Sequence, residues 1–130
     1  MKKSFLFVCI ENSNRSQMAQ AFAKIWGGEE VEAYSAGSRP SGKINPKAIA
    51  AMAEIGYDLR THDSKSLDEI PAIRFDCVVT MGCGDACPWV PAVQRIDWQI
   101  PDPREMDPTA FNSVRDLISK KVQELISNMN

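Results

Sequence analysis

An unbroken apolar run, Phe5, Leu6, Phe7, Val8 and Cys9, constrains the fold of this chain more than any other segment. It shows no polar alternation, so it reads as a strand buried on both faces, the signature of a parallel sheet. A polar loop over residues 10–13 follows. A helical pattern then runs over residues 14–26, with Met18, Ala19, Ala21, Phe22 and Ile25 on one stripe and Gly27 and Gly28 as its stop. Strand patterns return at 31–36, closed by Gly37, at 75–81, and more briefly at 93–98. A second helix opens on Asn45 and Pro46, carries Ile49, Met52 and Ile55, and closes at Gly56. A third opens on Asp107 and Pro108, and Phe111, Val114, Leu117, Ile118, Val122, Leu125 and Ile126 keep helical spacing along it. Strands alternating with helices predict an α/β fold with a parallel sheet, right-handed crossovers and helices on both faces. In such sheets ligands bind at the carboxyl ends of the strands. Cys9, the Gly82–Cys83 step and the Pro101–Asp102 step all fall at or just past such ends.

One domain covering residues 1–130 is expected, since roughly 100–200 residues fold as a unit. No repeat, linker or low-complexity tract divides the chain. Fifteen Lys and Arg against seventeen Asp and Glu leave a net charge of −2, which argues against a nucleic-acid partner. No apolar run approaches the roughly 18 residues of a membrane span. Lys2 and Lys3 followed by an apolar segment imitate a secretory signal. That segment, residues 5–10, falls short of the roughly 7–15 residues such signals use, and Glu11, Asn12, Asn14 and Arg15 follow at once. An opening strand in a cytoplasmic protein is the expectation. In a reducing compartment Cys9, Cys77, Cys83 and Cys87 are then catalytic, metal-binding or buried rather than structural disulfides.

Chemistry concentrates between the first strand and the first helix. Cys9 is followed by Ile10, Glu11, Asn12, Ser13 and Asn14, and then by Arg15 and Ser16. A tight loop entering a helix aims successive backbone N–H groups, including the helix's own unpaired ones, at a single point. Arg15 adds a planar fork of donors suited to tetrahedral oxyanions such as phosphate or arsenate. The same positive field favours the thiolate form of Cys9, and Ser16 can donate a hydrogen bond to the sulfur. A nucleophile and an anion cradle thus come from one short segment.

With these residues in view, the chain resembles the low-molecular-weight tyrosine phosphatase fold family, and within it the thiol-coupled, thioredoxin-type arsenate reductases. The likeness spans the chain: the Cys9 loop, the Arg15-Ser16-Gln17-Met18-Ala19 continuation, Ser35-Ala36-Gly37, Val79-Thr80-Met81 and Asp102-Pro103. Three features point to the reductases. Gln17 stands where phosphatases usually carry proline, Arg104-Glu105-Met106 stand where they place tyrosines, and Cys83 and Cys87 are thiols a phosphatase has no need of.

The resemblance implies a three-layer α/β/α domain around a four-stranded parallel sheet, low-molecular-weight phosphatase-like. It implies catalysis by Cys9, Arg15, Ser16, Cys83, Cys87 and Asp102, with Ile10, Glu11, Asn12, Ser13 and Asn14 binding the oxyanion. Reducing As(V) to As(III) takes two electrons, which two thiols closing to a disulfide supply. By resemblance, Cys9 attacks arsenate, Asp102 protonates the departing oxygen, Cys83 attacks Cys9, and Cys87 carries the disulfide outward to thioredoxin or a low-molecular-weight thiol. Phosphate or sulfate would act as analogues, and the protein is expected to be a monomer without cofactor or metal.

The chain also departs from the pattern. Glu11 replaces a common glycine, and its carboxylate beside an anion site should weaken binding unless it points outward. Asn14 replaces a common cysteine, and three residues separate Cys83 from Cys87. The close spacing leaves open that Cys83 is the sole resolving thiol. Some relatives bind potassium near the loop; Asn12 and Ser35 match such positions, but Gln20 stands where an acidic ligand is usual, so no potassium is assigned.

Other readings compete. The same loop serves a protein-tyrosine or small-molecule phosphatase that uses Cys9 and Asp102, with Cys83 only protecting Cys9 from oxidation. A thiol module that senses oxyanion or metal without turnover is a third reading, and Cys83, Cys87, Cys77 and His62 could be read as a zinc site. Cys77, mid-strand beside Val78 and Val79, reads better as a core residue, and His62, in the polar 60–66 stretch, as a surface group. Asp107 is explained as a helix cap, which leaves Asp102 as the acid. Trp89 and Trp98 either cover the site or anchor to the core, and Lys120 and Lys121 read as the solvated face of the last helix.

Overall fold

The computed structural model describes residues 2–82 and 89–128. In chain order its elements are β1 (Lys3–Cys9), α1 (Arg15–Gly27), β2 (Val31–Gly37), α2 (Pro46–Ala53), β3 (Phe75–Thr80), β4 (Ala92–Asp97) and α3 (Pro108–Asn128). The strands form one sheet in the order β2-β1-β3-β4, with every pairing parallel. Strand bounds differ from expectation by one residue, or by two at the start of β1; β3 and β4 end one residue early, although Met81 and Trp98 still donate to the carbonyls of Val8 and Thr80 just beyond the assigned ends. The step from β1 to β2 runs one way, and the next crossover returns past β1 to β3. The direction of winding reverses there, so the crevice for a ligand lies beside the carboxyl end of β1, where Cys9 sits.

The central place of β1 explains its unbroken apolar run. Phe5, Phe7 and Cys9 join one cluster, with Met18, Phe22, Met52, Phe111, Ile118 and Val122 from the three helices. Leu6 and Val8 point to the opposite face, with Ala36, Phe75 and Val78. That second face is covered by Leu67, Ile70 and Val90, so among the described residues its regular cover is a 3-10 turn (Leu67–Glu69) rather than an α-helix.

Helix starts follow local chemistry. Asn45 Oδ1 accepts from Lys47 N at 2.9 Å and Asp107 Oδ1 accepts from Ala110 N at 2.8 Å, each beside a first-turn proline. Three stripe residues are more exposed than their spacing predicts: Ile25 (43%), Ile55 (44%) and Leu117 (38%). Burial in α1 stops at Ala23, so Ile25 sits in a turn that projects beyond the core. Ile55 lies past the last residue of α2, where helical phase no longer applies. Leu117 flanks the buried line of Val114, Ile118 and Val122. Cys77 is fully buried in β3, and burial pushes its thiol up to about 11, which makes it an inert core residue. Trp98 is an anchor, packed on Phe7 with ring centroids 6.2 Å apart, whereas Trp89 is exposed. Lys121 Nζ lies 5.7 Å from the centre of the Trp98 ring, so this lysine covers an aromatic face as well as meeting solvent.

Candidate active site

The loop after β1 turns its carbonyls outward. The oxygens of Cys9, Ile10, Glu11 and Ser13 accept from the backbone N–H groups of Ser38, Arg39, Ser41 and Asn45, at 2.8–3.3 Å. The carbonyl of Asn12 accepts from Gln17 Nε2 at 3.0 Å. A loop whose carbonyls all face away presents its amides to the inside, which is the geometry of an anion nest. Asn12 takes a positive φ of 51°, a conformation asparagine tolerates better than most residues. The close approach of β2 demands glycine at Gly37: a Cβ there would stand 2.5 Å from the carbonyl oxygen of Ile10.

Cys9 lies at the floor of this nest. Cys9 is 3% exposed, and its Sγ is 2.8 Å from Ser16 Oγ. Asn12 Nδ2 donates to that same oxygen at 2.7 Å, so the hydroxyl proton of Ser16 is free to point at the sulfur and stabilise a thiolate. Behind Asn12 runs a buried polar relay. Asn12 Oδ1 accepts from Gln17 Nε2 and from the backbone of Lys65, both at 2.9 Å. Gln17 Oε1 then meets His62 Nδ1 at 3.0 Å, and His62 Nε2 meets Tyr57 Oη at 2.6 Å. Nδ1 donates to the amide oxygen, and in the neutral ring Nε2 accepts from the phenol.

His62 is therefore no surface group, correcting the sequence expectation. It is 8% exposed, because residues 59–65 fold down against α1 instead of standing in solvent. Burial first, then the charges of Lys24 and Lys65, lower its pKa from 6.5 to about 4. An unfolded chain takes up a proton on His62 below pH 6.5 that the folded chain refuses until about 4, so this part of the stability is intact above 6.5 and lost as pH falls through that window. Thermal melts from pH 7 to 4.5 are expected to fall more steeply for the parent than for His62→Gln. Equal slopes would show that His62 does not titrate with unfolding.

Arg15 opens α1 and is itself buried, with 8% exposure. Its Nη1 donates to the carbonyl of Ile100 at 2.9 Å, and its Nη2 stands 4.0 Å from Asp102 Oδ2. Gly82 has a positive φ of 79° and passes so close that a Cβ would lie 3.0 Å from Nη1. Among the described residues the Nε of Arg15 is buried without a hydrogen-bond partner. A buried unpaired N–H on a cation is expensive, so the group is built for an acceptor that arrives with the ligand. A cavity of about 250 Å³ lies over these atoms, lined by Cys9, Ile10, Glu11, Ser13, Asn14, Arg15, Arg39, Asp102 and Arg104.

Asp102 sits at the rim, where Asn14 Nδ2 and the backbone of Arg104 donate to its Oδ1 at 3.4 and 3.0 Å. Glu11 does not leave a bare carboxylate at the cradle, since Arg104 Nη1 meets its Oε2 at 2.9 Å. The structure thus brings together Cys9, the 10–14 loop, Arg15, Ser16 and Asp102, as the sequence anticipates. Cys83 and Cys87 lie outside the described residues. Asn12, Gln20 and Ser35 satisfy one another or nearby backbone: Ser35 Oγ donates to Gln20 Oε1 at 2.6 Å and Gln20 Nε2 to the carbonyl of Ala33 at 3.2 Å. Among the described residues no group of three or more His, Cys, Asp or Glu side chains could hold a metal, and no helix is long and apolar enough to cross a membrane.

Sequence reasoning missed Arg39, Arg104 and the Gln17–His62–Tyr57 relay. Gln17 was visible only as a residue out of place in a phosphatase, and nothing local marked His62 or Tyr57 as its partners.

Comparison with known proteins agrees with this geometry. The family model described as low molecular weight phosphotyrosine protein phosphatase matches residues 4–130. "Arsenate reductase 2" of Staphylococcus saprophyticus is 40% identical over 131 residues, covering 98% of each chain. "Glutaredoxin arsenate reductase" of a Synechocystis species is 36% identical, covering 98% of this chain and 99% of its own. A solved "arsenate reductase in the phosphate binding state" superposes with a TM-score of 0.89 at 36% identity, over 98% of this chain and 99% of that one. The family match over residues 4–130, with a relative 40% identical over 98% of each chain, places this chain in the low molecular weight phosphotyrosine protein phosphatase family.

Proposed function

We propose that this protein is an arsenate reductase that uses Cys9 as nucleophile and a cysteine relay through Cys83 and then Cys87. The observation that carries the oxyanion half is that Arg15, whose Nε is buried without a partner among the described residues, lines the same cavity as Cys9. The redox half rests on likeness to proteins named arsenate reductase at about 40% identity and on two further thiols in the chain.

The Cys9 thiolate attacks arsenic held by Arg15 and the loop amides, and the departing oxygen leaves as water with a proton from Asp102. The thiolate of Cys83 then attacks the Cys9 sulfur. The S–As bond breaks with its electron pair passing to arsenic, arsenite leaves, and a Cys9–Cys83 disulfide remains. Cys87 attacks Cys83 and frees Cys9, and an external thiol reduces the Cys83–Cys87 bond. The Synechocystis relative's name points to glutaredoxin as one candidate beside thioredoxin and small thiols.

Phosphoester hydrolysis is the second reading, favoured by the description of the family model and by Asp102 at the rim. The test is direct. Reduced protein receives one equivalent of arsenate, and the disulfide formed is mapped by peptide mass. A Cys83–Cys87 bond supports the full relay, whereas Cys9–Cys83 alone limits it to one resolving thiol. No disulfide, together with turnover of an aryl phosphate, rejects reduction in favour of hydrolysis. Regeneration with thioredoxin, glutaredoxin and glutathione in parallel identifies the reductant.

A further inference from the structure

We propose that the Glu11–Arg104 ion pair is a strap that positions Asp102 over the anion cradle, making Glu11 and Arg104 positioning residues for the protonation step. The inference rests on the reading of Asp102 as the acid. The two residues are 93 positions apart, one inside the Cys9 loop and the other two residues beyond Asp102. Arg104 touches both sides of the cleft. Its Nη1 donates to Glu11 Oε2 at 2.9 Å, its Nη2 lies 3.9 Å from Asp102 Oδ2, and its backbone N–H donates to Asp102 Oδ1 at 3.0 Å. From α2, Lys47 Nζ holds the carbonyls of Arg104 and Met106 at 2.9 and 3.2 Å. The acid segment is therefore tied down from the loop on one side and from α2 on the other.

Stability does not explain the pair. Its side chains are 52% and 41% exposed, and an ion pair in that setting contributes little to folding. Its position is more telling, because both residues line the oxyanion cavity. Glu11 alone would repel a dianion, and Arg104 cancels that charge. In return Glu11 occupies Arg104. Without Glu11, the carboxylate left within reach of that guanidinium among the described residues is Asp102, 3.9 Å away, which would be drawn away from the Arg15 side of the cleft. The strap thus keeps Asp102 close to the anion.

The experiment is a double-mutant cycle in single turnover, reading the rate of arsenate-triggered disulfide formation at saturating arsenate. Asp102→Asn, Glu11→Gln, Arg104→Gln and the Glu11→Gln/Arg104→Gln double variant are compared with the parent. General acids are worth about 10²–10⁴-fold, so Asp102→Asn is expected to slow the step about 100-fold and each strap variant about 10-fold. The double variant should be no slower than either single one. Near 1 M salt, where screening acts within about 3 Å, the parent's saturated rate should fall toward that of the strap variants, which themselves change little. A loss confined to half-saturation, with the saturated rate intact, would mean the pair acts on anion binding and overturns the proposal. Multiplying effects in the double variant would overturn it too. No loss in Asp102→Asn removes the acid itself, a failure of the underlying reading that this arm separates from failure of the strap.

Discussion

Cys9→Ser is expected to form no arsenite at all, a loss of at least about 10⁴-fold and, by analogy with other nucleophile deletions, as much as 10⁶-fold. The reason is electronic as well as kinetic. A serine oxygen can neither attack as a thiolate does nor be attacked by Cys83 to release arsenic with its electron pair, so the two electrons of Cys83 and Cys87 have no route to arsenic. Structure should survive the change. The hydroxyl fits where Sγ meets Ser16, and the loop is held by its outward carbonyls and by Asn12, none of which uses the sulfur. The variant should therefore still be stabilised by phosphate in a thermal melt while yielding no arsenite in single turnover. Arsenite formation at a measurable rate would mean that another thiol is the nucleophile.

Arg15→Lys keeps the charge and is nonetheless expected to lower kcat/KM about 10³-fold, since one pre-aimed oxyanion donor is worth about 10²–10³-fold and a bidentate fork more. Arg15 spends one nitrogen on the carbonyl of Ile100, turns another toward Asp102, and leaves Nε for the ligand. A lysine ammonium carries its donors on a single atom and lacks the planar fork that spans Ile100 and an anion. Phosphate should raise the melting temperature of the parent and leave that of Arg15→Lys nearly unchanged. An equal phosphate shift in both proteins, with kcat/KM within threefold, would show that the guanidinium is not the anion clamp.

These expectations differ in how they could be reached. Cys9, Arg15 and Ser16 lie within eight residues between a strand and a helix, so chain geometry alone brings them to one point. The caps at Asn45 and Asp107 are local in the same sense, and so is the burial of Cys77 within a strand. His62 shows the opposite case. Its neighbours in sequence are polar, and only the folding of residues 59–65 onto α1 turns it inward to Gln17. Ile55 and Leu117 show that spacing names a helix face without saying how much of that face meets a partner.

From the residue order alone came the alternation of strands and helices, the strand buried on both faces, and the nearness of Cys9 to Arg15, because each depends on contacts within one turn or one strand. The sheet order decided the remainder. It brings Ile100 to Arg15 across 85 residues and Arg104 to Glu11 across 93. Partners that distant carry no mark of one another in a linear pattern; their meeting depends on which strands pair and how the loops leave the sheet's edge.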